Sequence, residues 1–179
     1  MSERQASGGR ILFSSEQIHH RVCELGRQIS TDYQGQPLVL IGVLKGSLYF
    51  LADLSRQINL PLQLDFIGIG TYAQSTHQKG IVRITKDLDL DITGRHVLLV
   101  EDILRTGLTI SYLVRNIESR QPASVKVCTL LHNPEQQLIN VPVAYYGFMI
   151  DRQRVVGYGM DVQEEDRHLP YIAEISRSN

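Results

Sequence analysis

The chain has 179 residues, 42% of them hydrophobic, which is enough for one sizeable core. Its 18 Lys and Arg against 19 Asp and Glu leave a formal net charge of -1, so no general positive field recommends nucleic acid or an anionic membrane as a partner. The start, MSERQASGGR, has no apolar signal region, and the apolar runs are far shorter than the roughly 20 residues of a membrane span. Cys23 and Cys128 stand far apart among apolar neighbours and read as buried thiols in a reducing compartment, so a cytoplasmic location is expected.

In chain order, Ser14 and Gln17 form a capping-box pattern, and Ile18, Val22, Leu25 and Ile29 recur at helical spacing, which predicts a helix over 15–31. Residues 37–43 read as a buried strand, 45–47 as its turn, and 48–58 as a helix that ends before Asn59 and Pro61. Residues 62–70 have strand character. The polar, aperiodic stretch 71–80 reads as a mobile loop or hairpin tip, with a strand at 81–85. A second strand–helix–strand follows at 97–101, 108–120 and 125–131, and short strands close the chain at 143–148 and 154–157. This alternation predicts an α/β fold with a doubly wound, mostly parallel sheet flanked by helices. With no repeat or linker, 1–179 reads as one domain.

Residues 97–110, VLLVEDILRTGLTI, carry the most chemistry. An apolar, β-branched run of this kind suits a strand covered on both faces, so Glu101 and Asp102 emerge at its carboxyl end, where open α/β sheets bind ligands. Thr106, Gly107, Leu108 and Thr109 then open a helix, offering N–H groups, hydroxyls and a positive helix end to a phosphate. Either half alone would be an ordinary turn or cap; together they define a sugar-phosphate site. The six histidines lack metal-ligand spacing, and the GxG fragments at 68–70 and 157–159 lack the third glycine of a dinucleotide fingerprint.

The 97–110 string resembles the phosphoribosyl pyrophosphate signature of type I phosphoribosyltransferases. Leu44-Lys45-Gly46-Ser47 is similar to that family's pyrophosphate loop, and VVGYGMD at 155–161 with Arg167 is similar to its C-terminal elements; the spacing holds from about Leu12 to Ile172. Hypoxanthine and hypoxanthine-guanine phosphoribosyltransferases are the subfamily it most resembles. The resemblance implies a parallel core over about 14–131 and a small hood, drawn mainly from the segment after 140, over the carboxyl ends of the strands. It implies transfer of ribose 5-phosphate from phosphoribosyl pyrophosphate to a 6-oxopurine, with Mg2+ as cofactor and a homodimer or homotetramer as the assembly.

By the same resemblance, Glu101 and Asp102 hold the ribose hydroxyls and, with Asp161, the magnesium. Lys45, the Gly46 amide and Arg167 take the pyrophosphate. Thr106, Gly107, Leu108 and Thr109 take the 5′-phosphate, Val155 and Asp161 meet the edge of the base, and Thr71 and Tyr72 stand where the family has a lid.

Three positions depart from the pattern. Arg105 replaces an Asp that handles the proton on the purine N7, Asn133 replaces a Lys that donates to the 6-oxo group, and Arg154 replaces a stacking aromatic ring. A guanidinium cannot act as a general base, although it can donate to a ring nitrogen or stack on a π-face, and an asparagine can still donate. The departures fall in one half-site. They leave two expectations: a purine salvage transferase with altered base handling, or a non-catalytic nucleotide sensor on the same fold.

Overall fold

The computed structural model describes residues 9–72 and 81–175, without the side chains at 71–72 and 81–82. Strand β1, Arg10–Phe13, is followed by helix α1, Ser15–Asp32, whose capping box is formed by Ser14 and Gln17 as the spacing predicts. Strand β2, Leu38–Leu44, leads through a tight turn into helix α2, Leu48–Gln57. Strands β3, Leu62–Tyr72, and β4, Ile81–Lys86, pair antiparallel, so Thr71 and Tyr72 continue a strand; the remainder of the expected 71–80 loop lies outside the described residues. Strand β5, His96–Leu104, helix α3, Leu108–Glu118, and strand β6, Ser124–His132, form the second crossover. Strands β7, Val143–Met149, β8, Val155–Val156, and β9, Ile172–Glu174, complete the fold.

The main sheet has the order β4-β3-β2-β5-β6-β7, with only the β3–β4 pair antiparallel. Alternation along its central strands builds two apolar layers. Leu38 and Leu40 of β2 with Leu98 and Val100 of β5 meet Ile18 and Val22 of α1 and Leu51 of α2. The intervening Val39, Ile41, Val97 and Leu99 meet Ile110, Leu113 and Ile117 of α3 on the opposite face. These side chains are all essentially inaccessible, and each contributes about 1.5–3 kcal/mol of transfer free energy. The sheet is therefore doubly wound, because strands buried on both faces need helices on both.

The hood is the three-stranded sheet β1-β9-β8. It draws on both chain ends, as Arg10 pairs with Glu174 and Val155 pairs with the same residue from the other side. Its boundary differs from the expected one: β7 joins the main sheet through parallel pairing of Val127 with Val143, so the core runs to Met149 and the hood takes β1 from before residue 14. Cys23 and Cys128 are free thiols, and no described helix is long and apolar enough to cross a membrane.

Candidate active site

β2 has β3 on one side and β5 on the other, and the helices that follow β2 and β5 pack on opposite faces. The chain thus changes winding direction between β2 and β5, and the carboxyl ends of these two strands form a crevice. Both expected anchors meet there. The turn after β2 brings Gly46 so close to Asp102 that a Cβ at position 46 would lie 1.8 Å from Asp102 Oδ2, which leaves glycine as the residue that fits. β5 itself runs three residues beyond the expected end, because Glu101, Ile103 and Leu104 continue to register against Thr129, Leu131 and His132 of β6.

Glu101 and Asp102 are half-buried side by side. Burial, reinforced by the neighbouring Asp102 charge, pushes the Glu101 carboxyl well above the ordinary carboxylate range, and its buried Oε2 has no hydrogen-bond partner. Burial raises Asp102 to about 6, against the opposing effect of the Ile103 N–H, which donates to Oδ1 at 2.8 Å, and of Arg167. A buried carboxylate oxygen without a partner, beside a second carboxylate raised by burial, marks this strand end as a place held for something that binds.

Beside them lies a pocket of about 170 Å³ lined by Glu101, Arg105, Thr106, Gly107 and Thr109. Gly107 precedes α3 in a left-handed conformation, φ 78°, and a Cβ there would approach the Ile139 carbonyl to 2.7 Å. α3 has no side-chain cap, which leaves its first-turn N–H groups to a ligand; the Leu108 N–H faces Thr106 Oγ1 only at 3.4 Å, and the Leu108 side chain is exposed.

A second cavity, about 260 Å³, is lined by Asp102, Ile103, Arg105, Arg154, Val155 and Asp161 among others. Arg105 therefore lines both spaces and stands where they meet. Its Nη2 donates to the Gln153 carbonyl at 2.6 Å and its Nη1 to Gln136 Oε1 at 3.3 Å, and burial lowers its pKa. Arg154 borders the cavity from an exposed position at the edge of β8.

Asn133 is placed differently from expectation. It is fully buried and is not among the residues lining either cavity; its Oδ1 accepts from the Gln136 N–H at 3.2 Å, capping a short 3-10 turn at Pro134–Gln136, while Nδ2 donates to the Asp151 carbonyl. Proline immediately after asparagine is a strong helix-start signal, and capping consumes the amide.

Of the expected anion-binding cations, Lys45 is exposed at the β2 turn and Arg167 comes from the hood. Arg167 donates to the Gly159 carbonyl at 2.7 Å and pairs with Asp161 at 2.8 Å, while its buried Nε has no partner. Asp161 Oδ2 also accepts from the Glu164 N–H at 2.7 Å. With Asp161 so engaged, Glu101, Asp102 and Asp161 do not form a preassembled cation cage, and no group of three or more such ligands is present among the described residues. Sequence reasoning missed Glu164, Gln136 and Gln153, which touch these groups; nothing in their local sequence announced a ligand-like motif.

The comparisons agree with this geometry. The phosphoribosyl transferase domain family matches residues 12–163, and the chain belongs to that family. Over 171 residues it is 49% identical to the hypoxanthine-guanine phosphoribosyltransferase of Mycobacterium bovis, covering 92% of this chain and 85% of that protein. It is 44% identical over 168 residues to the hypoxanthine phosphoribosyltransferase of Haemophilus influenzae, covering 92% and 94% of the two chains. A crystal structure of a hypoxanthine-guanine phosphoribosyltransferase from Bacillus anthracis superimposes with a TM-score of 0.88 at 41% identity, covering 93% of this chain and 98% of that one.

Proposed function

We propose that the chain transfers ribose 5-phosphate from phosphoribosyl pyrophosphate to a 6-oxopurine, hypoxanthine or guanine, and releases pyrophosphate. One observation carries this reading: an uncapped helix start with two threonines, a pair of carboxylates of which Glu101 has a partnerless buried oxygen, and a base-sized cavity adjoin at a single strand end. In the reaction, the bond between ribose C1 and the pyrophosphate oxygen breaks with its electrons going to pyrophosphate, and the purine nitrogen supplies the pair for the new bond. Positive charge develops at the ribose and negative charge at the leaving group. Glu101 and Asp102 suit the first, through the ribose hydroxyls; Lys45, Arg167 and the Gly46 N–H suit the second. Thr106, Gly107, Leu108 and Thr109 grip the 5′-phosphate, a remote handle whose binding energy orients the reacting carbon.

The donor set fits magnesium. An orphaned, buried Glu101 oxygen beside Asp102 offers hard oxygen ligands without a complete protein cage, as suits an ion that keeps waters and takes substrate oxygens. Glu101 and Asp102 would hold it, with Asp161 at the margin, and when bound it neutralises oxygens of the departing pyrophosphate. Val155 and Asp161 border the base, Arg154 lies at its open face, and Thr71 and Tyr72 continue a neighbouring strand toward this end of the sheet. The proton released by the base passes to a carboxylate or to water, because Arg105 can only donate.

We assign the whole chain to one such domain, acting in the cytoplasm. Exposed Leu48 and Tyr49 on α2 support assembly with further copies as a homodimer or homotetramer. Turnover with phosphoribosyl pyrophosphate, magnesium and a panel of purine and pyrimidine bases tests the reaction: product nucleotide with hypoxanthine or guanine is expected, and none with any base would refute it.

A further inference from the structure

Glu164 accepts from both cations of the proposed pyrophosphate site through one oxygen: Lys45 Nζ lies 2.9 Å and Arg167 Nη2 3.2 Å from its Oε2. These two cations come from opposite parts of the fold, the β2 turn and the hood, and Glu164 is the residue that joins them. A single anionic oxygen shared by an ammonium and a guanidinium is the arrangement that a phosphate oxygen adopts. We propose that Glu164 is an affinity-setting residue of the pyrophosphate site, whose carboxylate occupies the anion position between Lys45 and Arg167 and must be displaced by the diphosphate group of substrate or product.

The backbone explains why the carboxylate is delivered there. Gln163, Glu164 and Asp166 all adopt left-handed φ values, 56°, 67° and 66°, which side-chain-bearing residues rarely occupy. The Glu164 N–H is fixed on Asp161 Oδ2, and the Glu165 N–H donates to the Val162 carbonyl at 3.1 Å, so the turn is held from both ends.

The occupant is also built to leave. Lys45 and Glu164 expose 66% and 63% of their side chains, and ion pairs so exposed are weak. Arg167 keeps its place without Glu164, because its Nη1 is separately bonded to the Gly159 carbonyl. A diphosphate brings more charge and several oxygens to the same two cations. The resident carboxylate therefore weakens its binding and hastens its release.

This rests on the reading that Lys45 and Arg167 take pyrophosphate, and the test separates the two. Inorganic pyrophosphate with magnesium is titrated calorimetrically into the full-length protein, Glu164→Gln, Lys45→Gln and the double variant. Glu164→Gln is expected to bind pyrophosphate roughly three- to tenfold more tightly. That gain should shrink in the Lys45→Gln background, where one of the two screened cations is absent; a merely structural Glu164 would show no such dependence. Unchanged or weaker binding in Glu164→Gln, with Lys45→Gln weakened, overturns the role of Glu164 and leaves the pyrophosphate site standing. Unchanged binding in Lys45→Gln overturns the pyrophosphate reading and this inference with it.

Discussion

Arg105 Nη2 donates to the Gln153 carbonyl at 2.6 Å, tying the loop that opens α3 to the loop that carries Arg154. Asn133 bonds the same loop at the Asp151 carbonyl, so two of the three departures from the family pattern stitch down the segment bearing the third. The altered residues act on one another rather than as three separate changes to a base site. A guanidinium at this position supplies structure and hydrogen-bond donors, and no proton acceptor.

Arg105→Asp places an acceptor on the wall of the proposed base cavity while releasing the Gln153 carbonyl. Turnover of hypoxanthine should rise by about a hundredfold, the lower end of what a positioned general base contributes. Arg105→Ala releases the loop without adding a base and should give no comparable rise. Steady-state kcat for both variants decides the matter; equal rates in the two would show that loop release, not proton transfer, governs turnover.

Glu101→Ala combined with Asp102→Ala removes both carboxylates proposed to hold the ribose. Magnesium-dependent binding of phosphoribosyl pyrophosphate should weaken at least about tenfold, given charge-assisted hydrogen bonds of about 1.5–3 kcal/mol each. The protein itself should melt no lower, since two strained carboxyls are gone. Calorimetric titration alongside thermal melting measures both, and full affinity in the double variant would remove these residues from the site.

Asp102 sets a pH dependence of definite sign. Its folded pKa of about 6 exceeds the ordinary value of 3.8, so the folded protein binds the proton more tightly and loses stability as pH rises from about 4 to about 6. Glu101, also raised, acts in the same direction. Asp102→Asn should therefore be more stable than the wild type at pH 7, by up to about 3 kcal/mol, with the difference vanishing near pH 4. Binding of magnesium and phosphoribosyl pyrophosphate favours the ionised form, so affinity should increase from pH 5 to pH 7 with protons released to the buffer. Denaturant melts across this range, and titrations in buffers of different ionisation enthalpy, check the two halves.

Asn133→Ala removes a cap and leaves the Gln136 N–H and the Asp151 carbonyl without this partner. A loss of about 1–2 kcal/mol is expected, readable as a fall in Tm. Because the Asn133 amide is spent within the protein, the KM for the base should change less than in Arg154→Ala. The reverse order would place Asn133 against the base after all.

The order of strands and helices was readable along the chain because the continuous apolar runs of β2 and β5, the Ser14 and Gln17 cap, and the helical spacing of α1 are local properties of neighbouring residues. The candidate phosphate loop was recognisable for the same reason: carboxylates, threonines and a glycine that turns with positive φ fall within nine residues, 101–109. Tertiary structure alone decided the rest. Residue spacing cannot say that Gly46 rests against Asp102, that β7 joins the core sheet, or that Arg105 spans to Gln153, because each depends on which elements pack side by side. Asn133 shows the difference most plainly: its position in the chain suggested a base contact, but burial required its polar atoms to find partners, and the nearest were Gln136 and Asp151.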